Sequence, residues 1–159
     1  AARLSGTYQG GIAAARAAGI DHVEFVDSAT ASLGLGLLTL RGAELAESGW
    51  NAKAIAQELR RVRRQSGCFI TVDRFDNLLR SGRVTRGKAL IAGMLDVKPI
   101  LSLDDAGGIV PVDRVRGRNN VVPRVLSLLD KRLSPRPTTV RFGIVHAEAP
   151  EIAERVRAA

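Results

Sequence analysis

Residues 4–28 read Leu-Ser-Gly-Thr-Tyr-Gln-Gly-Gly-Ile-Ala-Ala-Ala-Arg-Ala-Ala-Gly-Ile-Asp-His-Val-Glu-Phe-Val-Asp-Ser, and the fold class turns on how this stretch divides. From Gly6 to Ala18 it is alanine-rich with Ile12 among small residues, which predicts a helix stopped by Gly19. His22 to Val26 is short, apolar and partly β-branched, which predicts a buried strand ending at Asp27 and Ser28. The alternation continues on the C-terminal side. Leu33 to Glu47 is apolar around most of its circumference, so a largely buried helix is expected, closed by Gly49. Asn51 is placed to cap a further helix that carries Ile55, Leu59 and Val62 on one face and Arg60, Arg61, Arg63 and Arg64 around the remainder. Cys68 to Val72 reads as a second buried strand, Asp76 to Arg80 as a helical turn and Ser81-Gly82-Arg83 as a turn. Lys88 to Leu95 is another apolar helix. Val97–Leu103 and Ile109–Val115 are strands joined at Asp105–Gly108 into a hairpin. A helix through Val121, Val125, Leu128 and Leu129 follows, then a breaker at Ser134–Pro137. Val140 to Val145 reads as a last strand, and Ala149-Pro150 opens a last helix with proline in its first turn. Strands alternating with helices specify an α/β fold. The shift from an acidic to an arginine-rich composition places a domain division near Gly67, giving residues 1–67 and 68–159.

The chain has 159 residues, 45% hydrophobic and 25% charged, enough to bury a core and too apolar for a disordered polymer. Aromatic residues make up 4%, which counts against a binder that stacks single-stranded bases on aromatic platforms. One cysteine excludes a disulfide framework and every multi-cysteine zinc site. No stretch approaches the ~18 apolar residues of a membrane span, so a soluble, cytoplasmic protein is expected. The net charge of +8 is unevenly placed: four basic against six acidic residues in 1–59, nine against two in 60–88, and eleven against eight in 89–159. Nearly all the excess is arginine, whose planar fork suits phosphate or carboxylate.

Most catalytic signatures fail on inspection. Gly34-Leu35-Gly36 lacks a third glycine and sits in a helical pattern, and Gly87-Lys88 is followed by Ala89 where a phosphate-binding loop needs a hydroxyl. His22 and His146 have neither HExxH context nor cysteine neighbours, Cys68 opens an apolar strand, and no nucleophile–base pair can be placed. No catalytic residue, metal or cofactor is therefore expected. Ser5-Gly6-Thr7, just before a helix, remains: hydroxyls and unbonded N–H groups meet the positive end of a helix dipole. Ser5 either caps the helix or helps hold a small anion, and the two roles are compatible. Two arginine groups also stand out, Arg80 to Arg86 and Arg114 to Arg118, each interleaved with glycine. Finally, Leu35, Leu37, Leu38, Leu90, Ile91, Met94 and Leu95 form an apolar surplus that serves equally as core or as the lining of a slot for an apolar chain.

Taken in order, Leu4-Ser5-Gly6-Thr7-Tyr8-Gln9, Val26-Asp27-Ser28, Ser32-Leu33-Gly34-Leu35-Gly36, Leu78-Leu79-Arg80-Ser81-Gly82-Arg83, Lys98-Pro99-Ile100-Leu101, Val112-Asp113-Arg114-Val115-Arg116-Gly117 and Val145-His146-Ala147 closely resemble the DegV family of bacterial fatty-acid-binding proteins. The resemblance covers essentially the whole chain. It implies a two-domain α/β protein that encloses a long-chain fatty acid in an apolar tunnel, does no chemistry itself, and presents the carboxylate to a separate ATP-dependent fatty acid kinase that forms an acyl phosphate. Ser5 matches the family's carboxylate-binding serine, with Gly6 and Thr7 beside it. Arg83, Arg86, Arg114 and Arg116 are similar in placement to arginines of the kinase-docking surface. Family members also carry a preceding segment, with the first strands and a carboxylate-binding threonine, and a closing His-x-Gly-Pro-Gly segment. Neither occurs in these residues, and His146 belongs to a different motif. The expectation is thus a DegV-like architecture lacking the first strands and the closing segment. The alternative, read from charge alone, is a nucleic-acid-binding module using arginines 80–86 and 114–118, with steeply salt-dependent affinity.

Overall fold

A computed structural model of the chain describes residues 1–84 and 97–159; the expected helix Lys88–Leu95 and Arg86 lie outside them. The chain divides into two compact units, Ala1–Cys68 with Leu103–Gly108, and Phe69–Ser102 with Ile109–Ala159.

The first unit is built on three helices: α1 (Thr7–Ala17), α2 (Leu33–Glu47) and α3 (Ala52–Gln65). Asn51 caps α3 as its side chain predicts, Oδ1 accepting the Ala54 amide at 2.9 Å. α2 packs on α3, and the contact depends on Gly42, where a Cβ would stand 3.3 Å from Leu59 Cδ1. Leu38 and Leu45 of α2 and Ala56 of α3 are buried. The expectation that α2 is largely buried is not met, since Leu35 and Leu40 are 47% and 52% exposed. An all-round apolar helix needs cover on several sides, and among the described residues α3 is the helix that packs closely on it.

The predicted strand His22–Val26 forms no ladder. Apolar β-branched residues favour extended backbone, but a strand exists only where a neighbour exchanges hydrogen bonds with it. Here arginines of α3 take the carbonyls instead: Arg60 Nη2 donates to the Phe25 carbonyl at 3.0 Å and Arg63 Nη1 to the Asp27 carbonyl. Val23 is 46% exposed, so this segment is not core.

In the second unit, β1 (Ile70–Thr71), β2 (Val97–Leu103) and β3 (Ile109–Arg116) form a sheet in the order β1-β2-β3. β1 runs antiparallel to β2, with Ile70 opposite Leu101 and Thr71 opposite Ile100. The expected strand Cys68–Val72 is cut to two residues for a local reason. Val72 would next face Pro99, which has no N–H to give the ladder. Ile100 and Leu101 are fully buried and anchor the core. α4 (Asp76–Arg80) follows β1, with the turn at Gly82 in the left-handed region (φ 69°). Val84 forms a parallel bridge to Ile109. A short 3-10 turn, Arg118–Asn120, leads into α5 (Val121–Arg132), and α6 (Pro150–Arg157) begins at the proline as expected. Val140–Val145 is not a strand: it joins no ladder, and Phe142 and Val145 are 58% and 64% exposed. Its apolar alternation is strand-like, but among the described residues no partner strand adjoins it.

Candidate functional site

Ser5, Gly6 and Thr7 come together at the exposed start of α1. Ser5 Oγ and Thr7 Oγ1 are 2.8 Å apart, and the Thr7 amide donates to Ser5 Oγ at 3.3 Å. The helix's N-cap position is Gly6 rather than Ser5, and Gly6 makes no side-chain cap. Ser5 thus stands one residue ahead of the cap, turning its hydroxyl across the first turn. The opening N–H groups of a helix lack intrahelical partners, so the two hydroxyls sit beside donors that favour an anion.

A second loop backs this one. The Ala1 nitrogen donates to the Thr30 carbonyl at 2.7 Å and to Ser28 Oγ at 3.3 Å, and the Ala2 amide donates to Asp27 Oδ1 at 2.9 Å. Asp27 Oδ1 also accepts the Ala29 amide at 3.0 Å. Burial acts to raise the Asp27 pKa, but the Ala29 and Ala2 amides, with positive charge that includes Arg63, outweigh it, and the carboxyl is held below the ordinary range. Ser28 and Thr30 are buried, with Ser28 Oγ donating to the Thr30 carbonyl at 3.1 Å. The loop is strained: Ala29 and Ser32 have φ of 49° and 52°, a region costly to residues with a Cβ. Gly34 has the opposite role, because a Cβ there would lie 2.3 Å from Thr30 Oγ1. The first turn of α2 and the loop touch only because that side chain is missing.

Two cavities open along the apolar side of this unit. One, of about 330 Å³, runs between residues 22–26 and α3, where Val23, Val26, Ile55 and Leu59 line it. The other, of about 100 Å³, is lined by Val26, Ser28, Leu35, Leu38, Thr39 and Leu59. They share Val26 and Leu59. Ser5, Gly6 and Thr7 line neither, so the structure assembles the polar triplet but does not join it to these cavities.

The second unit carries the described arginines of the two groups. Along β3 exposure alternates, placing Val112, Arg114 and Arg116 on the open face. Arg83 is exposed and donates to the Ser81 carbonyl at 2.7 Å. Arg118 is engaged by Asp73 at 3.6 Å and Glu151 at 3.1 Å, and Arg124 by Asp113. The stretch 114–118 is therefore partly neutralised, unlike the open phosphate-reading strip that the charge count implied. Arg86 lies outside the described residues.

Among the described residues no helix is long and apolar enough to cross a membrane, and no group of three His, Cys, Asp or Glu could hold a metal ion. His146 Nδ1 accepts the Ala149 amide at 3.3 Å just before α6, a local turn contact. Arg60, Arg63 and Gly34 are the residues sequence reasoning missed as determinants of the loop. The i, i+3 spacing of Arg60 and Arg63 was the available signal, since it puts both on one helix face.

The model of the family described as "Uncharacterised protein, DegV family" matches residues 1–159. Protein DegV of Bacillus subtilis is 31% identical over 156 residues, 96% of this chain and 54% of its own length. A solved DegV family protein from Thermus thermophilus, described as fatty-acid binding, is 32% identical over 86% of this chain and 48% of its own, with a TM-score of 0.77. One from Eubacterium eligens, loaded with heptadecanoic acid, has a TM-score of 0.80 over 99% of this chain and 57% of its own; at 21% identity the likeness is one of fold. The chain spans about half the length of the curated relatives it matches.

Proposed function

The chain belongs to the DegV family, and from that premise we propose that it binds a long-chain fatty acid, with the carboxylate held at Ser5, Gly6 and Thr7 and the tail among aliphatic side chains. The observation that carries the reading is the hydroxyl pair of Ser5 and Thr7, 2.8 Å apart at the open start of α1, in a chain whose relative of known structure is described as a fatty-acid binder. A carboxylate there would accept from hydroxyl and amide donors. The protein on this reading is a carrier and not an enzyme: it presents the head group to a separate ATP-dependent kinase, which forms the acyl phosphate. Arg114 and Arg116 on the open face of β3, with Arg83 and Arg86, are proposed to receive that kinase. Residues 1–67 and 68–159 are proposed as the two domains, with Leu103–Gly108 returning to the first compact unit.

The tail supplies most of the affinity. Each CH₂ removed from water contributes ~0.8 kcal/mol, so ~16 carbons amount to roughly ten, less ordering and desolvation costs. The cavity of about 330 Å³ lined by Val23, Val26, Ile55 and Leu59 reaches the lower bound of ligand sites, ~300 Å³, and is the subsite proposed for the far part of the tail, set apart from the head group because Ser5, Gly6 and Thr7 do not line it. The test is binding of palmitate and oleate to the wild type, Ser5→Ala and Val23→Trp. The half-exposed position of Val23 lets tryptophan enter the cavity without breaking core packing. Ser5→Ala is expected to weaken binding about tenfold, the loss of one hydrogen bond to a charged group, and Val23→Trp to abolish it. Equal, small effects from both would refute the division into head and tail subsites.

A further inference from the structure

We infer that Gly107, in the turn between β2 and β3, is a positioning residue for the anion loop at Ser5, so that its missing side chain governs how well a carboxylate head group is held. The inference rests on the fatty-acid reading above. Asp104 builds the turn. Its Oδ1 accepts the amides of Ala106 at 3.1 Å and Gly108 at 2.7 Å, its own amide donates to the Gly108 carbonyl at 2.9 Å, and the Gly107 amide donates to the Asp104 carbonyl at 2.8 Å. This fixes Gly107 at φ +79°, buried, within the same unit as Ser5.

A Cβ on Gly107 would lie 2.6 Å from Ala1 Cβ, 3.0 Å from Ala29 Cα and 3.1 Å from Ala29 C. Both neighbours are junctions. The Ala1 carbonyl receives the amides of Leu4 at 3.1 Å and Ser5 at 3.2 Å. Ala29 donates to the Asp27 carboxylate that also holds the Ala2 amide. Pushing Ala1 away from Gly107 moves the acceptor of the Ser5 amide, and with it the Ser5–Thr7 hydroxyl pair. Hydrogen bonds to a carboxylate are effective only over about 2.7–3.2 Å, so a shift of this size acts on the head group. Neither apolar cavity is lined by residues 1–8 or 103–108, so the proposed tail subsite is untouched.

The experiment compares oleate with oleyl alcohol, which has the same tail and no carboxylate, on the full chain. Gly107→Ala is expected to weaken oleate about tenfold and leave oleyl alcohol unchanged. Adding Ala1→Gly, which removes the nearest clashing atom, should restore part of the oleate affinity. Ala1→Val fills the same gap from the other side without a strained φ, and should reproduce the selective loss even if Gly107→Ala does not fold. Equal losses for the two ligands, or unchanged oleate binding in Ala1→Val, overturn the positioning role. A wild type that prefers oleate no more than oleyl alcohol overturns the carboxylate reading itself and is recognised before any variant is made.

Discussion

Replacing Gly34 by alanine should change sign according to what stands at position 30. Gly34 lies in the first turn of α2, where an added Cβ would be 2.3 Å from Thr30 Oγ1 and 3.3 Å from both Thr30 Cβ and Cγ2. Thr30 is 8% exposed, and its β-branched side chain is restricted at χ1, so turning Oγ1 away within the buried loop carries its own cost. Overpacking of this kind costs ~1–3 kcal/mol. Against it, alanine is the better helix residue by up to ~1 kcal/mol, less in a first turn. Gly34→Ala alone should therefore destabilise the first unit by about 1–2 kcal/mol. In a Thr30→Ala background the 2.3 Å contact is gone and the nearest remaining distance, to Cβ, is 3.3 Å. The clash then largely disappears, the propensity gain remains, and Gly34→Ala becomes neutral to mildly stabilising. Urea unfolding of the four proteins, followed by far-ultraviolet circular dichroism with m-values compared, reads the coupling directly. If Gly34→Ala costs the same with threonine or alanine at position 30, glycine is not there to admit Thr30, and the reasoning is wrong.

Other expectations follow from single contacts. Arg63→Met, which keeps the stem but not the donor to the Asp27 carbonyl, should cost about 1–2 kcal/mol and raise amide exchange in residues 23–29. Asp27 has a folded pKa below its unfolded value. Its contribution is therefore complete above the unfolded carboxylate pKa and is lost as pH falls through the folded one; Asp27→Asn should flatten the acid limb of a stability profile and leave neutral-pH slopes alone. Ile100→Ala, at a fully buried site in β2, should cost ~2–5 kcal/mol in thermal or chemical unfolding of the second unit.

Local chemistry is legible in the sequence, and the elements that need only local chemistry form where the residues place them. Asn51 caps α3 because an Asn side chain reaches the third amide beyond it, and Pro150 opens α6 because it needs no N–H there. The Ser5-Gly6-Thr7 cluster is local for the same reason: the three residues are consecutive at the entry to α1. His22–Val26 and Val140–Val145 have the composition of strands and form none, because being a strand is a property of a pair. Apolar alternation sets the backbone's preference, whereas the ladder depends on what lies alongside, which a single stretch of sequence does not state. β1 shows the same dependence at finer grain: Cys68–Val72 has the composition of a strand, yet its length is set by Pro99 on the other strand.

That distinction also explains why the loop's determinants are hidden in the sequence. Arg60 and Arg63 read as a solvated helix face, since arginine in a charge-rich run is usually that. Their role appears only when the carbonyls of Phe25 and Asp27 are taken into account, because extended backbone without a ladder must satisfy its acceptors elsewhere or leave them to water. Arginine suits this role because its stem covers apolar surface while its fork reaches a main-chain oxygen. The segment between α1 and α2 is therefore held by guanidinium groups of α3 and by the Ala2 amide on Asp27, which leaves its strained turn at Ala29 and Ser32 supported by contacts from two separate parts of the sequence. A loop fixed in that way needs no ligand to order it, which on the proposed fatty-acid reading would spare a bound carboxylate the cost of forming its site.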